Sequence, residues 1–181
     1  EGRAGLWSQW RKENRVFWQM RGSANAPLDR AALCDELTKV WYEEIPISAA
    51  MGVELESFEG NALCVAADLG PNINLHGTGF AGSLYAINAL CGWSMVHLQL
   101  QLRSLDASIV LADGRIKYAR PVTERIVSVC DFGEQVSALD QLQETGKARF
   151  TLPAVIRSGD RPAATFEGEA RPVGSEDVYL M

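Results

Sequence analysis

The chain has 181 residues, 47% of them hydrophobic and 22% charged, a composition that suits one globular domain with its own core and excludes an intrinsically disordered chain. The formal charge of −6 is uneven: residues 1–22 hold five cations against two acids, and the remainder is acidic. An acidic body excludes nucleic acid as the main partner, because duplex binding draws most of its affinity from basic side chains that neutralise phosphates.

Residues 1–25 form an N-terminal basic and aromatic extension in which Trp7, Trp10, Phe17 and Trp18 are interleaved with arginine and lysine. A helix lying on a membrane surface fits that pattern, and so does a solvated or partner-docked extension; short length and modest charge favour the second. The chain opens without methionine, as a processed start or a piece of a longer protein would, and shows no basic-then-apolar signal-peptide pattern. The globular domain is expected over residues 26–173, with 174–181 as a tail.

Within that domain Asp29 is a candidate N-cap, and Leu33, Leu37, Val40 and Trp41 share one face of a helix that Pro46 should end. Val53 to Phe58 and Ala62 to Asp68 predict two strands joined by a turn at Glu59-Gly60-Asn61. A loop from Gly70 to Gly79 leads into a long helix beginning at about Gly82, apolar on nearly every side, which other structure must enclose. Its segment Ser83 to Leu102 is long enough to span a membrane, yet Asn88, Ser94, His97, Gln99 and Gln101 are costly in hydrocarbon and point to burial in protein. Further strands are expected at Ile109–Tyr118, Ile126–Asp131, Lys147–Arg157 and Pro162–Arg171, with a short helix or loop between Glu134 and Thr145 that Gly146 ends.

Cys34, Cys64, Cys91 and Cys130 lie far apart among apolar neighbours, without a C-x-x-C pair. They predict buried, reduced thiols in a cytoplasmic protein. With only His76 and His97 besides, no metal-site spacing is present. Helices and strands are segregated along the chain, so the architecture is α+β. A curled antiparallel sheet wrapped around one long hydrophobic helix accounts for that helix, and pairing one sheet edge with a second subunit would protect it.

The chemistry concentrates between Pro71 and Tyr85, where Gly77, Gly79 and Gly82 precede the buried helix. Glycines there let backbone approach a ligand, and the free N–H groups and positive dipole end of the helix can polarise a carbonyl oxygen or bind an anion. Glycines serving only the helix entry remain the plainer alternative.

A set of spaced motifs carries a resemblance: Ile45-Pro46-Ile47-Ser48-x-x-Met51-Gly52-Val53, Pro71-Asn72-Ile73-Asn74, Gly77-Thr78-x-x-x-Gly82-Ser83-Leu84-Tyr85, Gly92-Trp93, Ile109-Val110-Leu111-Ala112-Asp113 and Tyr118-x-Arg120-Pro121-Val122. Together they resemble the thioesterase domain of the YiiD C-terminal type, in the hot-dog superfamily of acyl thioesterases, over about residues 43–172. The resemblance implies a hot-dog fold, a homodimer or tetramer with clefts at the subunit interface, and hydrolysis of an acyl thioester of coenzyme A or an acyl-carrier protein without a cofactor. The thioester carbonyl would point at the amides around Gly82 and Ser83, with Asn72, Gly77, Thr78 and Arg120 also lining the substrate.

The sequence departs from the pattern at the base. Many hot-dog thioesterases carry a carboxylate about two turns into the central helix, whereas Ala86-Ile87-Asn88-Ala89-Leu90 holds none and offers only Asn88 as a polar substitute. Asp113 is the preferred replacement, since burial beside Ile109-Val110-Leu111-Ala112 would raise its pKa toward that of a general base. Spacing alone favours Asp113-Gly114 as a hairpin turn, while the resemblance places it inside one long interface strand. His76 offers an imidazole that titrates near neutrality, or merely a cap for loop amides. Asn74, like Asn72, could orient water or hold a turn. Ser83 offers a hydroxyl without a triad partner, for which helix capping is favoured over attack. Arg120, with Arg115 and Lys117, could meet coenzyme A phosphates. A non-catalytic acyl-thioester-binding module is the main alternative function, and an enoyl-thioester hydratase using His76 and Asp113 is a lesser one.

Overall fold

A computed structural model describes residues 29–133 and 135–173; the expected extension 1–25 and the tail 174–181 lie outside the described residues. Helix α1 (Arg30–Glu44) starts where expected, with the Asp29 carboxylate accepting the Ala31 N–H at 3.0 Å, and it buries Leu33, Leu37 and Trp41 on one face. Pro46 ends that helix and opens a second, α2 (Pro46–Ala50), because the N–H it lacks has no intrahelical partner at a first position. The buried Ser48 hydroxyl lies 2.8 Å from the Trp41 and Ile45 carbonyls and fastens the two helices together.

Strands β1 (Val53–Phe58) and β2 (Ala62–Ala67) form a hairpin, and a single 3-10 turn (Gly70–Asn72) leads to the long helix α3 (Ala81–Leu102). Then come β3 (Ser108–Tyr118), β4 (Ile126–Asp131), α4 (Val136–Thr145), β5 (Phe150–Ser158) and β6 (Arg161–Val173). The strands make one antiparallel sheet in the order β1-β2-β4-β5-β6-β3. The curled sheet encloses α3, which contacts β2 through β6, giving the α+β hot-dog architecture the sequence led us to expect.

Burial along α3 explains why the helix is apolar all round. Leu84, Ile87, Cys91, Met95 and Leu98 are buried among strand residues such as Leu63, Ile126, Leu152 and Phe166. Each large side chain removed from water contributes about 1.5–3 kcal/mol before conformational entropy is charged against it. Ala86, Ala89, Trp93 and His97 stay only half-buried, leaving one stripe of α3 less covered. Its polar residues are absorbed internally: Ser94 accepts the Trp41 indole N–H at 2.9 Å, and the Gln99 amide donates to the Gly60 carbonyl at 2.6 Å. Among the described residues no helix is long and apolar enough to cross a membrane.

β3 runs straight through Asp113-Gly114, paired with β6 from Ser108↔Val173 to Tyr118↔Ala164 with a bulge between Leu111 and Asp113, as the resemblance implied and against the turn that spacing alone favoured. Two expectations need correction. Strand β5 begins at Phe150, not Lys147, because the chain is still completing the end of α4, where Lys147 N–H donates to the Thr145 hydroxyl. Finally, only Cys91 and Cys130 are buried. Cys34 falls beside the buried face of α1, and Cys64 alternates on β2 with the buried Leu63 and Val65, so both are half-exposed. Burial still pushes all four thiols up, Cys130 to about 12, so none is poised as a thiolate nucleophile.

Candidate active site

A cleft of ≈ 350 Å³ opens where the loop before α3, the first turn of α3 and the segment after β3 converge, lined by Asn74, Gly79, Ala81, Leu84 and the run from Tyr118 to Val122. That volume is at the low end of the ~300–1,000 Å³ typical of small-molecule sites. Its walls are mostly apolar, with the Arg120 guanidinium as the charged group among the lining residues.

The loop is held by asparagines. Asn74 Nδ2 donates to Thr78 Oγ1 at 3.0 Å and to the Gly79 carbonyl at 3.2 Å, while its Oδ1 accepts the His76 N–H at 2.8 Å and the Thr78 N–H at 3.2 Å. Gly77 takes the left-handed turn inside this ring at φ +75°, a conformation glycine adopts without steric cost. Asn72 is fully buried, and its Nδ2 donates to the carbonyls of Met51 at 2.8 Å and Asp68 at 2.9 Å. Both asparagines therefore hold the backbone, the second of the two readings the sequence left open. Across the cleft, Gly79 N–H donates to the Val122 carbonyl at 2.8 Å, tying the loop to the segment after β3.

The entry to α3 is uncapped by any side chain. Phe80 is its N-cap residue, with extended backbone, and Leu84 N–H donates to the Phe80 carbonyl at 3.0 Å. Ser83 is therefore the third helical residue, not the cap the sequence suggested, because the helix begins at Ala81. First-turn N–H groups have no intrahelical acceptors, and with the dipole they present positive potential at this end of α3. Tyr118 secures that end from the opposite wall, its hydroxyl donating to the Ala81 carbonyl at 2.8 Å. Burial and the nearby Tyr85 push the Tyr118 phenol up, so it remains a neutral donor.

The proposed acid–base groups are more dispersed. The Asp113 side chain is 66% exposed on edge strand β3, its Oδ1 accepting the Gly114 N–H at 2.8 Å, and it is not a wall of the cleft within this chain. His76 is exposed on the loop and is not among the cleft-lining residues, and Thr78 is half-buried. Asn88 does not stand in for the missing helix carboxylate: it is fully buried and its Oδ1 accepts the Ser128 hydroxyl at 2.7 Å, so it faces β4. Arg120 lines the cleft, while Arg115 and Lys117 are exposed on β3 outside the lining.

Sequence reasoning assigned no role to Leu84 or Tyr118, although both stand in the motifs that carry the resemblance. Contiguity with Gly82 and Arg120 was the signal available for them.

Residues 34–170 match the family described as "Putative thioesterase (yiiD_Cterm)". Among solved structures, the chain is 39% identical to a "putative thioesterase" from Shewanella oneidensis, covering 80% of this chain and 99% of that one, with a TM-score of 0.75. It is 32% identical to a protein of unknown function from Chlorobaculum tepidum, over 83% of this chain and 100% of that chain, with a TM-score of 0.76. A thioesterase from Pseudomonas aeruginosa shares the fold at 12% identity, with 84% and 96% of the two chains covered and a TM-score of 0.63.

Proposed function

The chain belongs to the YiiD C-terminal putative thioesterase family, and on that premise we propose that it hydrolyses acyl thioesters of coenzyme A or an acyl-carrier protein, as a homodimer. The observation that carries the reading is the uncapped first turn of α3 beside an apolar cleft. A thioester carbonyl seated there accepts from the Gly82 and Ser83 amides. Those donors gain strength as negative charge develops on oxygen in the tetrahedral intermediate, and one such donor is commonly worth about 3–4 kcal/mol of barrier. Arg120 at the cleft wall meets the anionic carrier, and Asn74 and Thr78 keep the loop in place.

Water attacks the carbonyl carbon, the carbon–sulfur bond breaks, and the thiol leaves with a proton. Asp113 of the partner subunit takes the proton from that water in our reading. Support comes from its position on β3, an edge strand whose outer side pairs with no strand among the described residues. A second copy docked along that edge brings Asp113 toward the first chain's cleft and removes it from solvent.

Thiol release by Asp113→Asn tests the base, with His76→Ala in parallel. A fall of about 10²–10⁴ in kcat for the first and little change for the second is expected; the reverse pattern transfers the role to His76. One observation favours a second reading, a binding module without catalysis: α3 holds no Asp or Glu from Ala81 to Leu102.

A further inference from the structure

Behind the cleft, one turn deeper along α3, the Tyr85 side chain crosses from the helix to β3. A Cβ added at Gly114 would collide with the Tyr85 hydroxyl and come within 3.1 Å of the Phe166 ring, so the tyrosine occupies the space that glycine leaves. Tyr85 and Phe166 meet edge to face, with ring centroids 5.3 Å apart at 87°. Ala81 and Leu84 line the cleft on the helix side and Tyr118 lines it on the strand side. Tyr85 follows next to Leu84 on α3, and Gly114 sits four residues back from Tyr118 on β3. Tyr85 thus lies one turn on from Ala81 on the same face of α3, and the ring pair fills the space between helix and β3 next to the Tyr118–Ala81 contact.

On its β5 side the helix leaves no space: Gly92 packs so closely that an added Cβ would lie 2.7 Å from Leu152 Cβ, and Ile87, Cys91 and Met95 are fully buried. An acyl chain entering over Ala81 and Leu84 therefore meets aromatic carbon after a short run. Cleft volume agrees, since ≈ 350 Å³ leaves little room once the thioester head is seated.

We infer that Tyr85, braced by Phe166 over Gly114, is a specificity-determining stop that restricts the site to short acyl groups. The inference rests on the thioester reading above and adds the substrate class. A chain that ends before the ring buries its methylenes against Leu84 and Val122, whereas a longer one must displace two packed aromatics or leave its end in water. Burial of each further methylene is favourable, so shortening the stop should reward longer substrates in proportion to the space released.

The experiment compares kcat/KM for thiol release from acetyl-, butyryl-, hexanoyl- and lauroyl-coenzyme A by the full chain and three variants. The wild type is expected to prefer butyryl or hexanoyl over lauroyl. Tyr85→Ala should raise the lauroyl-to-butyryl ratio by about tenfold or more, as room for roughly two further buried methylenes implies. Tyr85→Leu, a milder truncation in case the first fails to fold, should move the ratio in the same direction. Tyr85→Phe keeps the ring and should retain the short-chain preference, whatever it does to the rate. Equal use of lauroyl and butyryl by the wild type, or a ratio unmoved in a folded Tyr85→Ala or Tyr85→Leu, overturns the stop while leaving hydrolysis intact. Absence of thiol release at every chain length overturns the thioesterase reading, and the stop falls with it.

Discussion

The Tyr118 hydroxyl donates to the Ala81 carbonyl at 2.8 Å, so the end of β3 is fastened to the first turn of α3. Together with the Gly79 N–H to Val122 carbonyl bond, this hydrogen bond ties the two walls of the cleft to each other. Because the ring is partly exposed, water replaces the bond when it is lost, and the expected cost to stability is about 0.5–1.5 kcal/mol. The cost to function should be larger in proportion, because small misplacement of a substrate against fixed donors lowers rate steeply. Tyr118→Phe is expected to melt within a few degrees of the wild type while losing kcat/KM; equal losses in neither or a wholly unfolded protein would show that the bond has another role.

Asn72 and Asn74 stand two residues apart with opposite consequences. Asn72 is 1% exposed and ties the loop to Met51 and Asp68, so Asn72→Ala strands two carbonyls near the core and should destabilise by about 1–3 kcal/mol. Asn74 binds only its own loop, and Asn74→Ala should leave the melting temperature nearly unchanged while activity falls. Asn74→Asp keeps the acceptor for the His76 and Thr78 amides but loses the two donated bonds, and should lie between. Thermal melts paired with initial rates for the three variants separate the roles.

His97, stacked on Trp93 with ring centroids 5.0 Å apart, is pushed down to about 4 by burial from an ordinary 6.5. Its folded pKa lies below its unfolded one, so the unfolded chain takes the proton first. Stability is whole above pH 6.5 and is lost as pH falls toward 4. The shift corresponds to about 3 kcal/mol, which we reduce to about 2 because the ring keeps some contact with water. Urea unfolding at pH 7 and pH 5 should show this slope in the wild type and a shallower one in His97→Gln; identical slopes would assign the acid sensitivity elsewhere.

Elements whose signals are local were legible from sequence. β1 and β4 fall at Val53–Phe58 and Ile126–Asp131 as expected, since short β-prone runs bounded by turn residues specify them without reference to the rest of the chain. The all-round apolarity of α3 likewise required an enclosing sheet. Asp113-Gly114 was harder, because its dipeptide favours a turn locally and only pairing along the whole of β6 holds it extended. Contacts that build the site, Tyr118 with Ala81 and Tyr85 over Gly114, join residues far apart in sequence (37 positions in the first case) and depend on how the sheet curls around α3. No periodicity encodes that curl, so the glycine loop and Arg120 could be named from sequence while the contacts that join the walls could not.

The central claim is that the amide end of α3 and its cleft break a thioester. The most direct measurement is thiol release by the purified chain from short acyl-coenzyme A and acyl-carrier-protein thioesters, with the acid product quantified alongside. The account predicts one thiol and one free acid per turnover, at a rate proportional to protein concentration. Acyl thioester retained intact on the protein, with no thiol appearing above the uncatalysed background, would contradict it and leave the chain as a module that binds acyl groups.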